Sequence, residues 1–401
     1  MKILIVSQYF WPEEFRVNDL ALDLIDRGNE VTVLTGNPNY PKGKFYDGYG
    51  FKFKVENYLG IKIYRVPILP RGKASGFQLA MNYLSFAING SIFAMFFRKK
   101  FDVSLVFAIS PITAVYPALV HKFLYKSKVN LWVQDLWPES VSSAGKINST
   151  LLTKWLTKMV KQIYKSSDKV LVQSEGFIQS VEGKGVTKNQ LRYIPNWAEE
   201  LYSDRSKIYN EKFRQVVPKG FNVLFAGNIG EAQDFDSIIQ AAELTKKYPG
   251  IKWIIIGDGR KKSWVETEIT RLGLEETVFL LGRYPMEDMP SFFVHADIML
   301  LSLKDEEIFS MTMPAKIQSY MAFGKPVVGM LNGVGAEVIR IADCGYVGNA
   351  GDYQMLAKNV IQAYQQEPDI LIKKGINGKN YYNQNFSREI IIDNLVNIFQ
   401  E

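Results

Sequence analysis

Short apolar runs alternate with segments of helical spacing along the first half of the chain. The helical segments, such as residues 15–26 and 111–125, place apolar side chains three and four positions apart. Residues 51–57 and 61–66 are strand-like runs around Leu59-Gly60 and predict a hairpin. The remaining strand-like runs cover residues 2–7, 30–35, 102–107, 129–133 and 169–173. Alternating strands and helices are typical of βαβ units on a parallel sheet.

The same alternation starts again in the second half of the chain. The stretch 196–220, which separates the two series, has little periodicity. The strand-like runs of the second series cover residues 222–226, 252–256, 277–281, 297–301 and 326–330. A chain of 401 residues is also too long for one ordinary domain. We therefore predict an α/β fold with two doubly wound domains, in which ligands bind beyond the carboxyl ends of the strands.

One long segment of the first half has no charge. Residues 74–97 lie between Lys73 and Arg98, and their length would allow a membrane span. Four polar side chains share one helical face, because they recur at spacings of four, three and four: Gln78, Asn82, Ser85 and Asn89. The opposite face carries Phe77, Leu84, Ile88, Ile92 and Met95. This pattern favours a helix that lies at a membrane interface over one that crosses it.

A basic amphipathic helix is predicted further along. Its lysines recur at the same spacings of four, three and four: Lys154, Lys158, Lys161 and Lys165. They lie beside the apolar residues Leu151, Leu152, Trp155, Leu156, Met159 and Ile163. Such a helix suits a contact with anionic lipid. The alternative is that both helices pack on the sheet and that the lysines are simply solvated.

Positive charge is concentrated in the first half. Residues 1–200 hold 26 lysines and arginines against 16 acidic residues, and the whole chain has a formal net charge of +7. A basic half favours a phosphate-rich partner, either nucleic acid or an anionic membrane surface, although a solvated lysine-rich face explains it too. No nucleic-acid-binding module is recognisable, so we expect a membrane surface and no nucleic acid. A single cysteine, Cys344, and two histidines, His121 and His295, exclude a disulfide framework and a multi-histidine metal centre.

Two glycine loops follow strands of the second series. Glycine lets a backbone approach a phosphate, and the helix that follows offers free N–H groups. Tight turns also need glycine for purely structural reasons, so each loop alone has two explanations. Neither loop has the Gly-x-Gly-x-x-Gly spacing of dinucleotide enzymes, which weakens the alternative that the chain is a dinucleotide-dependent oxidoreductase. Together they favour a nucleotide or diphosphate site: Gly227-Asn228-Ile229-Gly230-Glu231-Ala232-Gln233 and Gly257-Asp258-Gly259-Arg260-Lys261.

A third loop places a lysine at the start of a predicted helix. Pro314, Ala315 and Lys316 precede a helical stretch that Gly324 ends. A cation in the first turn opposes the helix dipole, and a bound phosphate would reverse that penalty. The alternative is an exposed lysine, which costs roughly a few tenths of a kcal/mol.

Several motifs, in order along the chain, resemble the retaining GT-B glycosyltransferases of family 4. They are Ile194-Pro195-Asn196, Gly257-Asp258-Gly259, Tyr320-Met321-Ala322-Phe323-Gly324-Lys325-Pro326-Val327 and Gly351-Asp352. The opening segment, Val6-Ser7-Gln8-Tyr9-Phe10-Trp11-Pro12-Glu13, belongs to the same resemblance. Two further segments are similar to the bacterial O-antigen and capsule branch that includes the L-N-acetylfucosamine transferases. One is the first glycine loop, and the other is Val133-Gln134-Asp135-Leu136-Trp137-Pro138-Glu139-Ser140.

The resemblance implies two Rossmann-like domains that face each other across a cleft. Residues 1–198 would bind the acceptor, residues 199–385 would bind a UDP-sugar, and residues 386–401 would form a helix that returns to the first domain. Transfer would retain the anomeric configuration and use neither a metal nor another cofactor. The acceptor would be a polyprenyl-diphosphate-linked saccharide. The enzyme would be cytoplasmic and bound peripherally to the inner face of the cell membrane.

The sequence departs from the family pattern at positions that usually carry charge. Asn228 and Gln233 stand where many members have arginine and lysine, and the paired glutamates fall at Met311 and Ser319. We therefore expect Lys316 to stabilise the diphosphate, with Arg260 or Lys261 as the second choice. The other expected donor-binding residues are Gly227, Asn228, Gly230, Gln233, Gly257, Asp258, Gly259, Ala315 and Ser319, the last toward a ribose hydroxyl.

Asp135 is the expected catalytic residue of the first domain. It follows a strand, where a carboxylate can act as a base toward an acceptor hydroxyl. If the departing phosphate takes the proton itself, Asp135 would instead orient the acceptor; helix capping is the structural alternative. Glu13 and Glu14, after the first strand, are similar candidates. The predicted function is a sugar transferase, and a nucleotide-sugar epimerase of the same architecture is the alternative.

Overall fold

The chain folds into two units. The structure, a computed structural model, describes residues 1–143, 149–203 and 213–401. Met1–Pro195 and Ile392–Glu401 form the first unit, and Asn196–Ile391 form the second. Residues 204–212 of the weakly patterned stretch 196–220 lie outside the described residues.

The first unit is built on an eight-stranded sheet. Its order is β3-β4-β2-β1-β5-β6-β7-β8, and all neighbours are parallel except the β3–β4 hairpin. The strands are β1 Lys2–Val6, β2 Glu30–Gly36, β3 Lys54–Tyr58, β4 Ile61–Val66, β5 Val103–Ala108, β6 Lys128–Val133, β7 Lys169–Val172 and β8 Leu191–Tyr193. The helices are α1 Arg16–Asp26, α2 Gly76–Phe96, α3 Tyr116–Tyr125, α4 Glu139–Ser143, α5 Thr150–Ser166 and α6 Ile178–Gly183. The hairpin predicted around Leu59-Gly60 is confirmed.

The two faces of this sheet are covered by different helices. Crossovers between parallel strands are right-handed, so α2, α3, α5 and α6, which all lead toward β8, cover one face. Helices α2 and α3 pack closely, because a Cβ at Gly90 would lie only 2.7 Å from Cγ of Pro117. Helix α1 leads the other way and covers the opposite face.

The second unit is built on a six-stranded parallel sheet. Its order is β11-β10-β9-β12-β13-β14, so the direction of winding reverses between β9 and β12. The strands are β9 Phe221–Ala226, β10 Ile251–Ile256, β11 Val278–Gly282, β12 Ile298–Ser302, β13 Val327–Met330 and β14 Gly345–Gly348. The helices are α7 Phe235–Thr245, α8 Lys262–Leu272, α9 Met289–Phe293, α10 Glu307–Met311, α11 Ala315–Phe323, α12 Val334–Ile341, α13 Tyr353–Gln365 and α14 Pro368–Asn385.

The last helix, α15 (Arg388–Gln400), bridges the division of the chain. Its residues from Ile392 onward belong to the first unit, where Asp393 pairs with Arg27 just beyond α1 at 2.7 Å. The terminal Glu401 pairs with Lys169 and Arg192 beside β7 and β8. The end of the chain therefore packs on the first unit.

The predicted α/β class with two doubly wound sheets is confirmed. The sequence did not predict β8 or β14, which are the last strands of the two sheets. Both are short edge strands, and most of their side chains are only half-buried. They therefore lack the apolar run that identifies a strand buried on both faces.

Candidate functional site

Three loops of the second unit meet where its strand order reverses. The loops follow β9, β10 and β12, and backbone hydrogen bonds join them. The N–H of Ile229 donates to the carbonyl of Asp258 at 2.8 Å, and that of Lys261 donates to the carbonyl of Ile229 at 3.0 Å. The N–H of Lys304 donates to the carbonyl of Ala232 at 3.0 Å. The place where the strand order reverses is the switch point of the sheet, and doubly wound sheets bind ligands there.

The second glycine loop packs directly on the first. A Cβ at Gly257 would lie 1.8 Å from the carbonyl oxygen of Gly227, and one at Gly259 would lie 2.2 Å from that of Ile229. Asp258 is exposed and accepts a hydrogen bond from the N–H of Gly259 at 2.8 Å. The structural explanation therefore accounts for Gly257 and Gly259, because any side chain there would push the loops apart.

Gly227 makes room for a lysine. Lys316 lies in the first turn of α11, and a Cβ at Gly227 would be only 2.6 Å from its Nζ. The ammonium lies 3.7 Å from the centre of the Phe225 ring, a cation–π contact. Within the described residues, Lys316 has no hydrogen-bond acceptor and no carboxylate partner. Burial lowers the pKa of its ammonium to about 7.

The other cations near these loops already have partners or lie in solvent. Nζ of Lys261 is 2.5 Å from Asp236 and 3.6 Å from Glu231. Lys304 pairs with Glu231 at 2.8 Å. Arg260 is exposed. Among the expected diphosphate contacts in the described structure, Lys316 is thus the one that is both partly buried and without a counter-charge.

The remaining expected donor residues surround this lysine. Asn228 is exposed, and its amide would lie 2.3 Å from a Cβ at Gly230. Oε1 of Gln233 is buried and has no hydrogen-bond partner in the described part of the chain. Ala315 is the exposed first residue of α11.

Ser319 brings a carboxylate that the sequence did not indicate. Its Oγ donates to Oε2 of Glu199 at 3.2 Å. Glu199 lies 120 positions away in a stretch without clear periodicity, so no local pattern pointed to it. The Glu199 carboxylate thus lies beside the Ser319 hydroxyl, about one turn of α11 beyond Lys316.

Asp135 lies in the loop after β6 of the first unit. Its carboxylate has no hydrogen bond or ion pair with the described residues, and burial raises its pKa to about 7. Helix α4 begins only at Glu139, so Asp135 does not cap it. Capping is therefore excluded as the reason for an aspartate here.

Buried polar atoms without a partner lie in the neighbouring loops. Strands β1, β5 and β6 are adjacent, and the loops beyond them carry these atoms near Asp135. They are Ser7 Oγ, Gln8 Oε1, Thr113 Oγ1 and Trp137 Nε1, none of which has a hydrogen-bond partner in the described part of the chain. Such atoms are costly to bury unless a ligand or water meets them.

Glu13 has a structural position. Its Oε1 accepts hydrogen bonds from the N–H groups of Asn39 and Tyr40, both at 2.7 Å, and so ties the loop after β1 to the loop after β2. Burial raises the pKa of this carboxyl to about 7 despite those bonds.

His121 is buried between Ser127 and the carbonyl of Lys99. In the described ranges, no group of three or more His, Cys, Asp or Glu side chains could hold a metal ion.

Two family profiles match the chain in succession. The profile described as "Glycosyl transferase 4-like domain" matches residues 14–197, and the one described as "Glycosyl transferases group 1" matches residues 209–378. Each unit of the chain therefore matches a glycosyltransferase profile, which confirms the glycosyltransferase part of the resemblance. Retention of configuration and the L-N-acetylfucosamine branch stay predictions.

Relatives and solved structures agree with the family. The "Putative colanic acid biosynthesis glycosyl transferase WcaI" of Escherichia coli (strain K12) is 22% identical over 342 residues, 81% of this chain and 82% of that protein. The amylovoran biosynthesis glycosyltransferase AmsK of Erwinia amylovora is 29% identical over 180 residues, 43% of this chain and 44% of that protein. The crystal structure of HepE from Anabaena in complex with UDP covers all of both chains at 16% identity, with a TM-score of 0.69. The structural match confirms the predicted GT-B fold.

We predict that Gly257→Ala destabilises the second unit. The new Cβ cannot coexist with the Gly227 carbonyl, so the free energy of unfolding should fall by about 2–4 kcal/mol in a denaturant titration. Gly351→Ala is the matched control, because Gly351 also has a positive φ but no atom lies within 4 Å of its Cβ position. It should cost about 1 kcal/mol. Loss of ligand binding without loss of stability in Gly257→Ala would contradict the structural role.

We predict that Asp135→Asn stabilises the protein above neutral pH. The folded state holds the Asp135 proton more tightly than the unfolded chain does, so the cost of the ionised carboxylate is full above pH 7 and vanishes near pH 4. The variant should gain about 1–3 kcal/mol over wild type at pH 8, and the difference should close on acidification. Asp47→Asn, at an exposed position, is the control. Equal stability of wild type and Asp135→Asn at pH 8 would show that the carboxylate is already compensated.

Proposed function

We propose that this glycosyltransferase transfers a sugar from a UDP-sugar to a polyprenyl-diphosphate-linked saccharide, with retention of configuration, in O-antigen or capsule biosynthesis. The observation that carries the proposal is the uncompensated ammonium of Lys316 at the switch point of the second unit. The UDP bound to HepE and the polysaccharide pathways named for the relatives support this choice of donor and acceptor. The sugar would be N-acetyl-L-fucosamine or another N-acetylated sugar, as the sequence motifs suggest.

Lys316 would hold the diphosphate of the donor. When the bond between the anomeric carbon and the diphosphate oxygen breaks, negative charge develops on the leaving UDP. A partly buried ammonium stabilises that charge more strongly than an exposed one, because water screens it less. No metal is needed in this scheme, since the lysine and loop N–H groups supply the positive potential. Oε1 of Gln233, in the first glycine loop, has no partner in the described residues and can accept a hydrogen bond from the UDP-sugar.

Glu199 would take part in binding the nucleoside. Many family members have a glutamate where this chain has Ser319, and the hydrogen bond between Ser319 and Glu199 returns a carboxylate to that side of α11. A ribose hydroxyl can donate a hydrogen bond to the Glu199 carboxylate, just as it could to a glutamate at the position of Ser319.

Asp135 would act on the acceptor. The acceptor hydroxyl oxygen forms the new bond to the anomeric carbon, and its proton passes either to Asp135 or to an oxygen of the departing phosphate. With its pKa near 7, Asp135 is well matched to accept a proton at neutral pH. The unpaired atoms Thr113 Oγ1 and Trp137 Nε1 can hydrogen-bond the acceptor in the same loops.

The donor site is tested by calorimetric titration of UDP between pH 7.5 and 9. Lys316 is mostly neutral there in the free protein, and a bound diphosphate would raise its pKa, so binding should take up close to one proton. UDP itself contributes little, because phosphate esters have a second pKa of about 6. Affinity should fall by up to about tenfold per pH unit, and the binding enthalpy should depend on the buffer's ionisation enthalpy.

Lys316→Met should remove both the proton uptake and the pH dependence. It should also weaken UDP binding by about 1–3 kcal/mol at pH 7.5, typical of a charge-assisted contact. Lys358→Met, at an exposed lysine of α13, should change neither quantity. Unchanged UDP binding in Lys316→Met would move the diphosphate contact to Arg260 or Lys261. Binding of GDP or NAD in preference to UDP would reject the proposed donor.

Turnover separates the transferase from the epimerase that the sequence left open. A transferase releases UDP from a UDP-N-acetylsugar in step with glycosylation of an added polyprenyl-diphosphate saccharide. An epimerase converts the nucleotide-sugar without any acceptor. Conversion independent of acceptor would therefore overturn the proposed reaction while leaving the UDP site intact.

A further inference from the structure

Helix α2 is apolar on two sides. Its buried side carries Leu79, Phe86, Ala87, Gly90 and Ala94, and Asn82 of the polar stripe is buried with them. The Asn82 amide donates to the carbonyl of Leu69 at 2.5 Å and accepts from Nε2 of Gln8 at 2.6 Å. Asn89 donates to the carbonyl of Pro67 at 2.7 Å, and Ser85 Oγ accepts from the N–H of Leu69 at 2.9 Å. The polar stripe thus ties one flank of α2 to the segment after β4 and to Gln8.

The second apolar side of α2 faces outward. About half or more of each of six large side chains on this side is exposed: Phe77, Leu84, Ile88, Ile92, Met95 and Phe96. A surface helix of a water-soluble domain normally presents charged residues there. Contiguous exposed apolar surface of this kind marks a docking site.

The neighbouring helices on the same face of the sheet add exposed apolar residues and positive charge. Helix α3 exposes Phe123 and Leu124, and α5 exposes Leu151, Leu152 and Trp155. All four lysines of the predicted stripe on α5 are exposed: Lys154, Lys158, Lys161 and Lys165. We name α2, α3 and α5 the basic layer.

The charge of the basic layer is nearly of one sign. Between Lys73 and Val133 the chain has seven basic residues and a single acidic one, Asp102, and α5 has no acidic residue. Helix α1, on the opposite face of the sheet, has three aspartates and one arginine. The two faces of the first unit therefore differ in sign, and the apolar surface lies on the positive face.

We infer that the basic layer docks on an anionic lipid bilayer, with the outward side of α2 inserted among the acyl chains. Apolar side chains surrounded by lysines match the interface of such a bilayer, where acyl chains lie beneath anionic headgroups. A second copy of this chain would have to offer an acidic surface with an exposed apolar side. Helix α1, on the opposite face of the unit, is acidic, but its apolar residues Val17, Leu20, Ala21 and Leu24 are buried.

The helix lies on the bilayer and does not cross it. In the described residues α2 alone is long and apolar enough for a span, but a third of that stretch is buried in the unit. Crossing would break the hydrogen bonds of Asn82, Asn89 and Ser85 and separate α2 from α3 at Gly90. Unpaired polar groups in hydrocarbon are expensive.

Docking would place lipid beside the acceptor loops. Asn82 of α2 holds Gln8, and the ring of Tyr83 lies 6.4 Å from that of Trp137, two residues from Asp135. One helix therefore has the bilayer on its outer side and the Asp135 loop on its inner side. This step rests on the proposed lipid-linked acceptor, whereas bilayer docking itself does not.

The inference is tested by sedimentation of the full-length protein with phosphatidylcholine vesicles, with and without phosphatidylglycerol. We expect strong binding only to the anionic vesicles, and release by salt, because lysine–headgroup attraction is screened. Ile88→Ser with Ile92→Ser should weaken the partition coefficient about tenfold or more. Its matched control is Ile372→Ser with Ile376→Ser on α14, an isoleucine pair of the same spacing and similar exposure, 58% and 53% against 56% and 49%. The control should bind like wild type.

The lysines are tested separately. Lys154→Gln, Lys158→Gln, Lys161→Gln and Lys165→Gln together should weaken binding by up to about fivefold for each lysine that reaches the headgroups. The control carries the same change at four exposed lysines of the second unit: Lys219, Lys247, Lys358 and Lys373. Equal losses in both sets would show nonspecific attraction and overturn the assignment of this face.

Insertion of α2 into the bilayer is tested with a label at a single position. Cys344 is buried, so a cysteine introduced by Ile88→Cys can be labelled selectively with an environment-sensitive dye, with Ile376→Cys as control. We expect a blue shift on adding anionic vesicles for Ile88→Cys only. No shift at position 88, a dimer that Ile88→Ser with Ile92→Ser dissociates, or resistance of bound protein to salt and alkaline extraction would overturn surface docking. None of these measurements uses a sugar donor, so the outcome is independent of the transfer reaction.

Discussion

The two glycine loops of the second unit depend on one close backbone contact, that of Gly257 with the carbonyl of Gly227. It leaves no room for a side chain at Gly257, and it fixes the first glycine loop against the second. On its other side Gly227 adjoins the ammonium of Lys316, again without room for a Cβ. Residues from three separate loops are therefore held in one arrangement by contacts within the protein. A preorganised cation is what stabilisation of a leaving diphosphate requires.

Two charged side chains lie beyond the carboxyl ends of the strands without a counter-charge among the described residues. Lys316 lies where the strand order of the second sheet reverses, and Asp135 follows β6, next to the reversal between β1 and β5 in the first sheet. They have opposite sign, and burial brings the pKa of each to about 7. Elsewhere on the same loops, charges compensate each other, as Lys261 does with Asp236. An uncompensated half-buried charge destabilises the folded protein, and such groups are typical of functional sites. In the proposed reaction the diphosphate would be the partner of Lys316, and the acceptor hydroxyl that of Asp135.

The sequence predicted most of the fold, because buried parallel strands are apolar runs and the helices between them are periodic. It could not predict β8 and β14, which are too short and too exposed at the sheet edges to show such a run. At the candidate site, it singled out Asp135 from its place after a strand and Lys316 from its place in the first turn of a helix, and both roles stay predictions. It could not decide between a ligand and loop packing for Gly257 and Gly259, since both explanations require glycine and only the neighbouring backbone separates them. Glu199 reaches Ser319 from a distant, irregular segment, and no spacing rule connects the two.

Helix α2 shows a different limit of sequence patterns. Periodicity identifies two faces of a helix but not which of them meets the protein. Here Asn82, Ser85 and Asn89 bind the backbone of Pro67 and Leu69 just beyond β4, along one flank of the helix. The buried side is otherwise apolar, with Leu79, Phe86 and Ala94 packed in the unit. Because a second apolar side points away from the unit, the periodicity alone does not show which of the two meets the protein. Substitutions on the inner side should disturb the acceptor loops and the docking face together, whereas substitutions on the outer side leave the acceptor loops intact.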